Sequence, residues 1–113
     1  MSRNGRYSNG NARRKARARL AREQRGCWIC RAFGRRDAID YSLPAGHPLS
    51  FEVDELDPYS LGGSATDYSN LDAAHRACNE WRGNKTVCEV LAIAARERSA
   101  PLRQAEGSTS RDW

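Results

Sequence analysis

The sequence predicts a small α+β domain, flanked by a basic N-terminal arm and a C-terminal helix. Three observations predict it. Two stretches in the first half alternate apolar and polar residues as strands do, two in the second half have helical spacing, and two Cys/His pairs stand far apart in a chain of 113 residues. That length suits one domain with tails and is short for two conventional ones.

Charge narrows the class. There are 19 Lys and Arg against 14 Asp and Glu, for a formal net charge of +5, and 39% of residues are hydrophobic. Residues 1–36 carry 12 basic and 1 acidic side chain, residues 37–74 carry 8 acidic and no basic ones, and residues 75–113 carry 7 basic and 5 acidic. A polycationic arm beside a compact acidic block suits a protein that grips a phosphate backbone and gathers carboxylates around a cation. No apolar run nears the roughly 18 residues of a membrane span, and polar and basic residues follow Met1 where a secretory leader needs an apolar core. Neither a membrane protein nor a secreted disulfide scaffold is expected. Cysteines kept reduced in the cytoplasm serve metal binding or packing.

The elements follow in order. Residues 1–10 are rich in Gly, Asn and Ser and read as disordered. From Asn11 the chain holds strong helix formers, but only Leu20 and alanines supply an apolar stripe, so a helix is expected there only against an acidic partner, ending at Gly26. A turn, Cys27-Trp28-Ile29-Cys30, follows. Alternation predicts strands over Ala38–Tyr41 and Leu49–Leu56, split by Pro44-Ala45-Gly46. Residues 57–69 read as loop. Ser69 or Asn70 is a plausible N-cap for a helix to about Trp81, and Gly83-Asn84 breaks it. A last amphipathic helix places Val87, Leu91 and Ala94/Ala95 on one side with Cys88 in its apolar face. The domain boundaries read as 1–25 for the arm, 26–98 for the folded unit and 99–113 for a frayed tail.

A core of about 70 residues is marginal without a staple. Cys27-x-x-Cys30 and His75-x-x-Cys78 offer one. A two-residue gap in a turn lets both sulfurs face one point, and positions three apart on a helix share a face, so the pairs can converge on one zinc ion. Four protein ligands close a tetrahedral sphere, which makes such a site structural and couples metal binding to folding. Asn79, turned about 100° from Cys78 on a helix, points elsewhere. Together with Asp54 at the end of the second strand it offers oxygen ligands to a hard divalent cation.

The run HPLSFEVDELDPYSLGG, followed by NLDAAHRACNEWRGNK, resembles the phage-type HNH endonucleases with their ββα-metal fold. The resemblance extends over about residues 27–85 and includes the CxxC pair, the aspartate with its Pro and Gly-Gly loop, the central asparagine and the HxxCN segment. It implies that Cys27, Cys30, His75 and Cys78 form a zinc knuckle and that Asp54 and Asn79 hold a catalytic Mg²⁺ or Mn²⁺. It implies also that Asn70 braces the loop and orients the base. The family's usual residue after the aspartate is a histidine serving as general base. Here it is Glu55, expected to replace that base or to add a metal ligand; His47, the other candidate for the base, precedes the strand by several residues and is expected in a turn instead.

The function so implied is metal-dependent hydrolysis of DNA phosphodiester bonds, leaving a 5′-phosphate and a 3′-hydroxyl, by a phage protein in the host cytoplasm. Arg76, Arg82 and Lys85 are expected phosphate contacts, and Arg13, Arg14, Lys15 and Arg17 expected sources of non-specific affinity. Two alternatives stand beside it: a non-catalytic zinc-stapled DNA-binding module, and an accessory protein of the large terminase subunit.

Overall fold

A computed structural model describes residues 2–57 and 67–100. The elements are α1 (Ser2–Arg22), α2 (Trp28–Ala32), β1 (Phe51–Glu55), a 3-10 turn (Tyr68–Asn70), β2 (Leu71–His75), α3 (Arg76–Arg82) and α4 (Val87–Arg98). The strands pair antiparallel in one two-stranded sheet, with Phe51 opposite His75 and Glu55 opposite Leu71. The architecture is α+β, as expected. Most of the expected 57–69 loop and of the 99–113 tail lies outside the described residues.

Each face of this sheet has its own core. On one, Phe51, Leu71 and Ala73 meet Ala16 and Leu20 of α1. On the other, Ala74 packs with Cys27, Trp28, Ile29 and Cys30 and with Val90 of α4. Period-two alternation along β2 explains the division, because Leu71 and Ala73 point one way and Ala74 the other.

Helix α1 therefore corrects the expectation of an arm ordered only by a partner. Ala16 and Leu20, four apart, lie on one stripe, and Leu20 has no exposed surface. The arginines beside them extend the cover: Arg17 lies 4.5 Å over the Phe51 ring and Arg19 3.8 Å over that of Tyr68. Gln24, at φ +51°, ends the helix two residues earlier than Gly26. The bonds Gln24 N–H to Ala21 O and Arg25 N–H to Leu20 O close it in a Schellman arrangement. Gly26 is needed instead for close approach, since a Cβ there would lie 2.6 Å from Asp37 Oδ2 and 2.9 Å from Asp37 O.

The second strand is also not where alternation put it. Ala38–Tyr41 forms no strand, because its surroundings take its polar groups elsewhere. Ala38 O lies 3.2 Å from His75 Nε2, and Asp40 Oδ1 accepts from Ser42 N–H at 2.9 Å in a side-chain turn. The partner of β1 is instead Leu71–His75, within the expected helix. Leu-Asp-Ala-Ala-His is rich in helix formers, but burial of all five residues and pairing with β1 override local propensity.

Helix α3 is correspondingly short, beginning after His75. A capping box of Thr86 and Glu89 opens α4. Its buried residues are Val90 and Ala94, one position off the expected stripe, which leaves Leu91 and Cys88 exposed rather than in the core. No helix among the described residues is long and apolar enough to cross a membrane.

Candidate metal centre and the acidic edge of the sheet

The Cys3His cluster is assembled from three elements. Cys27 caps α2 and accepts the Cys30 N–H on its sulfur at 3.4 Å, which folds the CxxC turn around a common point. His75 ends β2, and Cys78 sits in the first turn of α3. The His-x-x-Cys pair thus straddles a strand-to-helix junction instead of sharing a helix face.

The four ligand atoms lie within 4.8 Å of one another. Cys30 Sγ is 3.4 Å from His75 Nδ1 and 3.6 Å from Cys78 Sγ, and Cys78 Sγ is 3.8 Å from His75 Nδ1. A tetrahedral zinc site with ordinary bond lengths has S–S edges of about 3.8 Å and S–N edges of about 3.6 Å. The cluster fits a metal such as zinc with little rearrangement. His75 Nε2 lies 3.2 Å from Ala38 O, the outer hydrogen bond that fixes a ligating imidazole and leaves Nδ1 for the ion.

Without metal, the Cys27 thiol is lowered to about 4, chiefly because its sulfur accepts from the Cys78 thiol and then from backbone N–H groups. Cys78 is pushed up by donating to Cys27 and by burial, and Cys30 is pushed up by burial and by the neighbouring Cys27 thiolate. One negative charge in the metal-free cluster, shared by three sulfurs, is a favourable starting point for a cation.

The oxygen-bearing residues line β1. Asp54 is buried and accepts on Oδ2 from Trp28 Nε1 and from Arg82 Nη1, both at 2.8 Å. Arg82 is 2% exposed. It also donates to the carbonyls of Glu55, Leu56 and Lys85. Its expected role as a phosphate contact is corrected accordingly: a guanidinium enclosed by an acid and three carbonyls holds the end of β1 against the end of α3.

Glu55, on the opposite face, accepts from Arg13 Nη1 at 2.9 Å. Asn70 Oδ1 accepts from Asp57 N–H and its Nδ2 donates to Asp57 O, both at 2.9 Å, tying the chain leaving β1 to the chain entering β2. Asn79 Nδ2 donates to Glu52 Oε1 at 3.0 Å. The structure thus joins Asn79 to Glu52 rather than bonding it to Asp54. Glu52 was missed in the sequence although the signal was present: residues two apart in Phe51–Glu55 share a face, so Glu52 and Asp54 point the same way.

The remaining basic candidates are on the surface or at its margin. Arg76 pairs with Glu80 at 3.2 Å and lies 3.6 Å from Glu52. Lys85 Nζ donates to Trp81 O at 3.0 Å, and Arg14 Nη2 to Asn11 Oδ1 at 3.4 Å. Arg17 lies over Phe51, and Lys15 is exposed. His47 occupies a turn, its Nδ1 accepting from Leu49 N–H at 3.0 Å. In comparisons with protein-family models, curated proteins and solved structures, nothing matches this chain.

Proposed function

We propose that the chain is a metal-dependent endonuclease of the HNH type that hydrolyses phosphodiester bonds in DNA. One observation carries the proposal. A single β-β-α unit combines a Cys3His cluster with hard oxygen donors: Glu52, bonded to Asn79 of α3, and Asp54 on one face of β1, and Glu55 at the end of the strand on the other. Oxygen donors of this kind suit Mg²⁺ or Mn²⁺, as thiolates and imidazole suit zinc.

A divalent cation bound there would stabilise charge developing on the scissile phosphate and activate water. The chain's own residues supply the rest. Glu55 accepts the proton of the attacking water, and Arg13 orients its carboxylate until substrate arrives. Asn70, bonded to both backbone groups of Asp57, fixes the exit of β1 and hence the direction of Glu55. Arg82 holds the carbonyls of Glu55 and Leu56 from behind, as a positioning residue.

A second reading, a zinc-stapled DNA-binding or terminase-associated protein without catalysis, is favoured by one fact. Asp54 Oδ2 already serves Trp28 and Arg82, and a buried guanidinium opposes a second cation beside it. Incubation of supercoiled plasmid with zinc-loaded protein and Mg²⁺ or Mn²⁺ separates the two. The wild type is expected to nick, with Glu55→Gln and Asn79→Ala slower by about 10²–10⁴-fold at unchanged zinc content. Nicking by Glu55→His alone establishes the second reading, and no nicking by any variant overturns the nuclease.

A further inference from the structure

We infer that the cleft between α1 and β1 is a built seat for the phosphodiester backbone of DNA, formed by Arg13, Arg14 and Arg17. The inference rests on DNA being the partner and adds where, and through which residues, its backbone is held. A cavity of about 340 Å³ lies between the two elements, lined by these arginines with Glu52 and Val53. Position 17 is four from 13 and three from 14, so both side chains neighbour Arg17 on the helix.

Three features make this a site rather than part of a diffuse basic arm. First, its wall is fixed, because Ala16 and Leu20 are buried against Phe51, Leu71 and Ala73. Second, the guanidinium of Arg17 is preset by stacking 4.5 Å over Phe51, while its hydrogen bond to Phe51 O is long at 3.5 Å. A planar fork held in place and only weakly engaged is what bidentate recognition of a phosphate needs. Third, the charges leave a positive excess. Glu52 in the lining is shared with Arg76 and Asn79, and Glu55 pairs with Arg13, so three guanidiniums are set against two carboxylates, one of them engaged from the other side.

Arg13 links this seat to the chemistry. Its Nη1 holds Glu55 Oε2 at 2.9 Å. A phosphate entering the cleft draws the Arg13 fork to itself and leaves the Glu55 carboxylate beside the bond it is to help hydrolyse. Lys15 and Arg22, exposed on the same helix, are outside the lining and take no part.

The test is fluorescence anisotropy of a short labelled duplex with zinc-loaded full-length protein, in a salt series without added Mg²⁺ or Mn²⁺. Each phosphate contact adds about 0.9 to the slope of log affinity against log salt, so three contribute about 2.7, or about fortyfold between about 50 and 200 mM. The triple change Arg13→Ala, Arg14→Ala, Arg17→Ala is expected to lower the slope by about that amount. The double change Lys15→Ala, Arg22→Ala is expected to lower it by less than 1. Equal effects of the two variants, or no effect of the triple one, overturn the seat. If the triple variant does not fold, Arg14→Glu at its exposed position replaces it, and an unchanged slope is again the refuting result. Cleavage does not enter the measurement. A protein that binds in this way and never nicks retains the seat and loses only the hydrolytic reading.

Discussion

Replacing Arg82 by methionine removes the most enclosed charge in the described residues while keeping the length of the side chain. Its partner Asp54 lies in the same interior, and the two side chains are 3% and 8% exposed. Solvent screening therefore gives little relief. Breaking a buried pair from one side costs about 3–5 kcal/mol, because the remaining charge is left without compensation. The carbonyls of Glu55, Leu56 and Lys85 lose their donor at the same time. A domain of this size has about 5–15 kcal/mol of stability in all, so the variant should stand close to the unfolding threshold. Urea unfolding of zinc-loaded protein, followed by far-UV circular dichroism, measures the loss. The double variant Arg82→Met, Asp54→Asn should recover part of it, since the amide oxygen still accepts from Trp28 and the stranded charge is gone. A loss below about 1 kcal/mol at an unchanged denaturant slope would mean the pair behaves as an exposed one, and the assignment of Arg82 as the clamp of β1 would fall.

Two further outcomes follow from the packing and the Cys3His cluster. Leu20→Ala should cost about 2–5 kcal/mol and make α1 susceptible to limited proteolysis, because Leu20 fills the sheet face of Phe51 and Leu71; unchanged melting would show that α1 is not docked there. Zinc binding near pH 7.5 should release about two protons, those of Cys30 and Cys78, because Cys27 is lowered to about 4 and already ionised. Affinity should therefore fall as pH falls, with protons competing for the sulfurs. Calorimetry in buffers of different ionisation enthalpy counts them, and a release near three would contradict the Cys27 thiolate. The same titration should refold protein that a chelator has unfolded.

What the sequence disclosed depended on how local its cause was. The four cluster residues were legible because CxxC and HxxC spacings constrain geometry within one turn, and β1 was legible because Phe51–Glu55 alternates. Strand β2 was not, since Leu71–His75 becomes a strand only by pairing with a segment some twenty residues away, and its alanines favour a helix on local grounds. The apolar face of α4 was misread by one position: Val87, Leu91 and Ala94/Ala95 describe a helical stripe as well as Val87, Val90 and Ala94 do. Burial of Arg82 had no local signal at all, because its carboxylate partner is 28 positions distant. In the candidate site the asparagines and acids were found as residue types, whereas the bonds they make, Asn79 to Glu52 and Glu55 to Arg13, depend on the docking of α3 and α1.

The two covers of the sheet have a practical consequence for anyone shortening the gene. A basic, low-complexity leader looks like something to trim before crystallisation or cloning. Cutting at residue 26 would strip the lid from Phe51, Leu71 and Ala73 and present a bare two-stranded ribbon to water. Such a fragment should clump during expression, and any nucleic-acid affinity it lost would report misfolding as much as missing arginines.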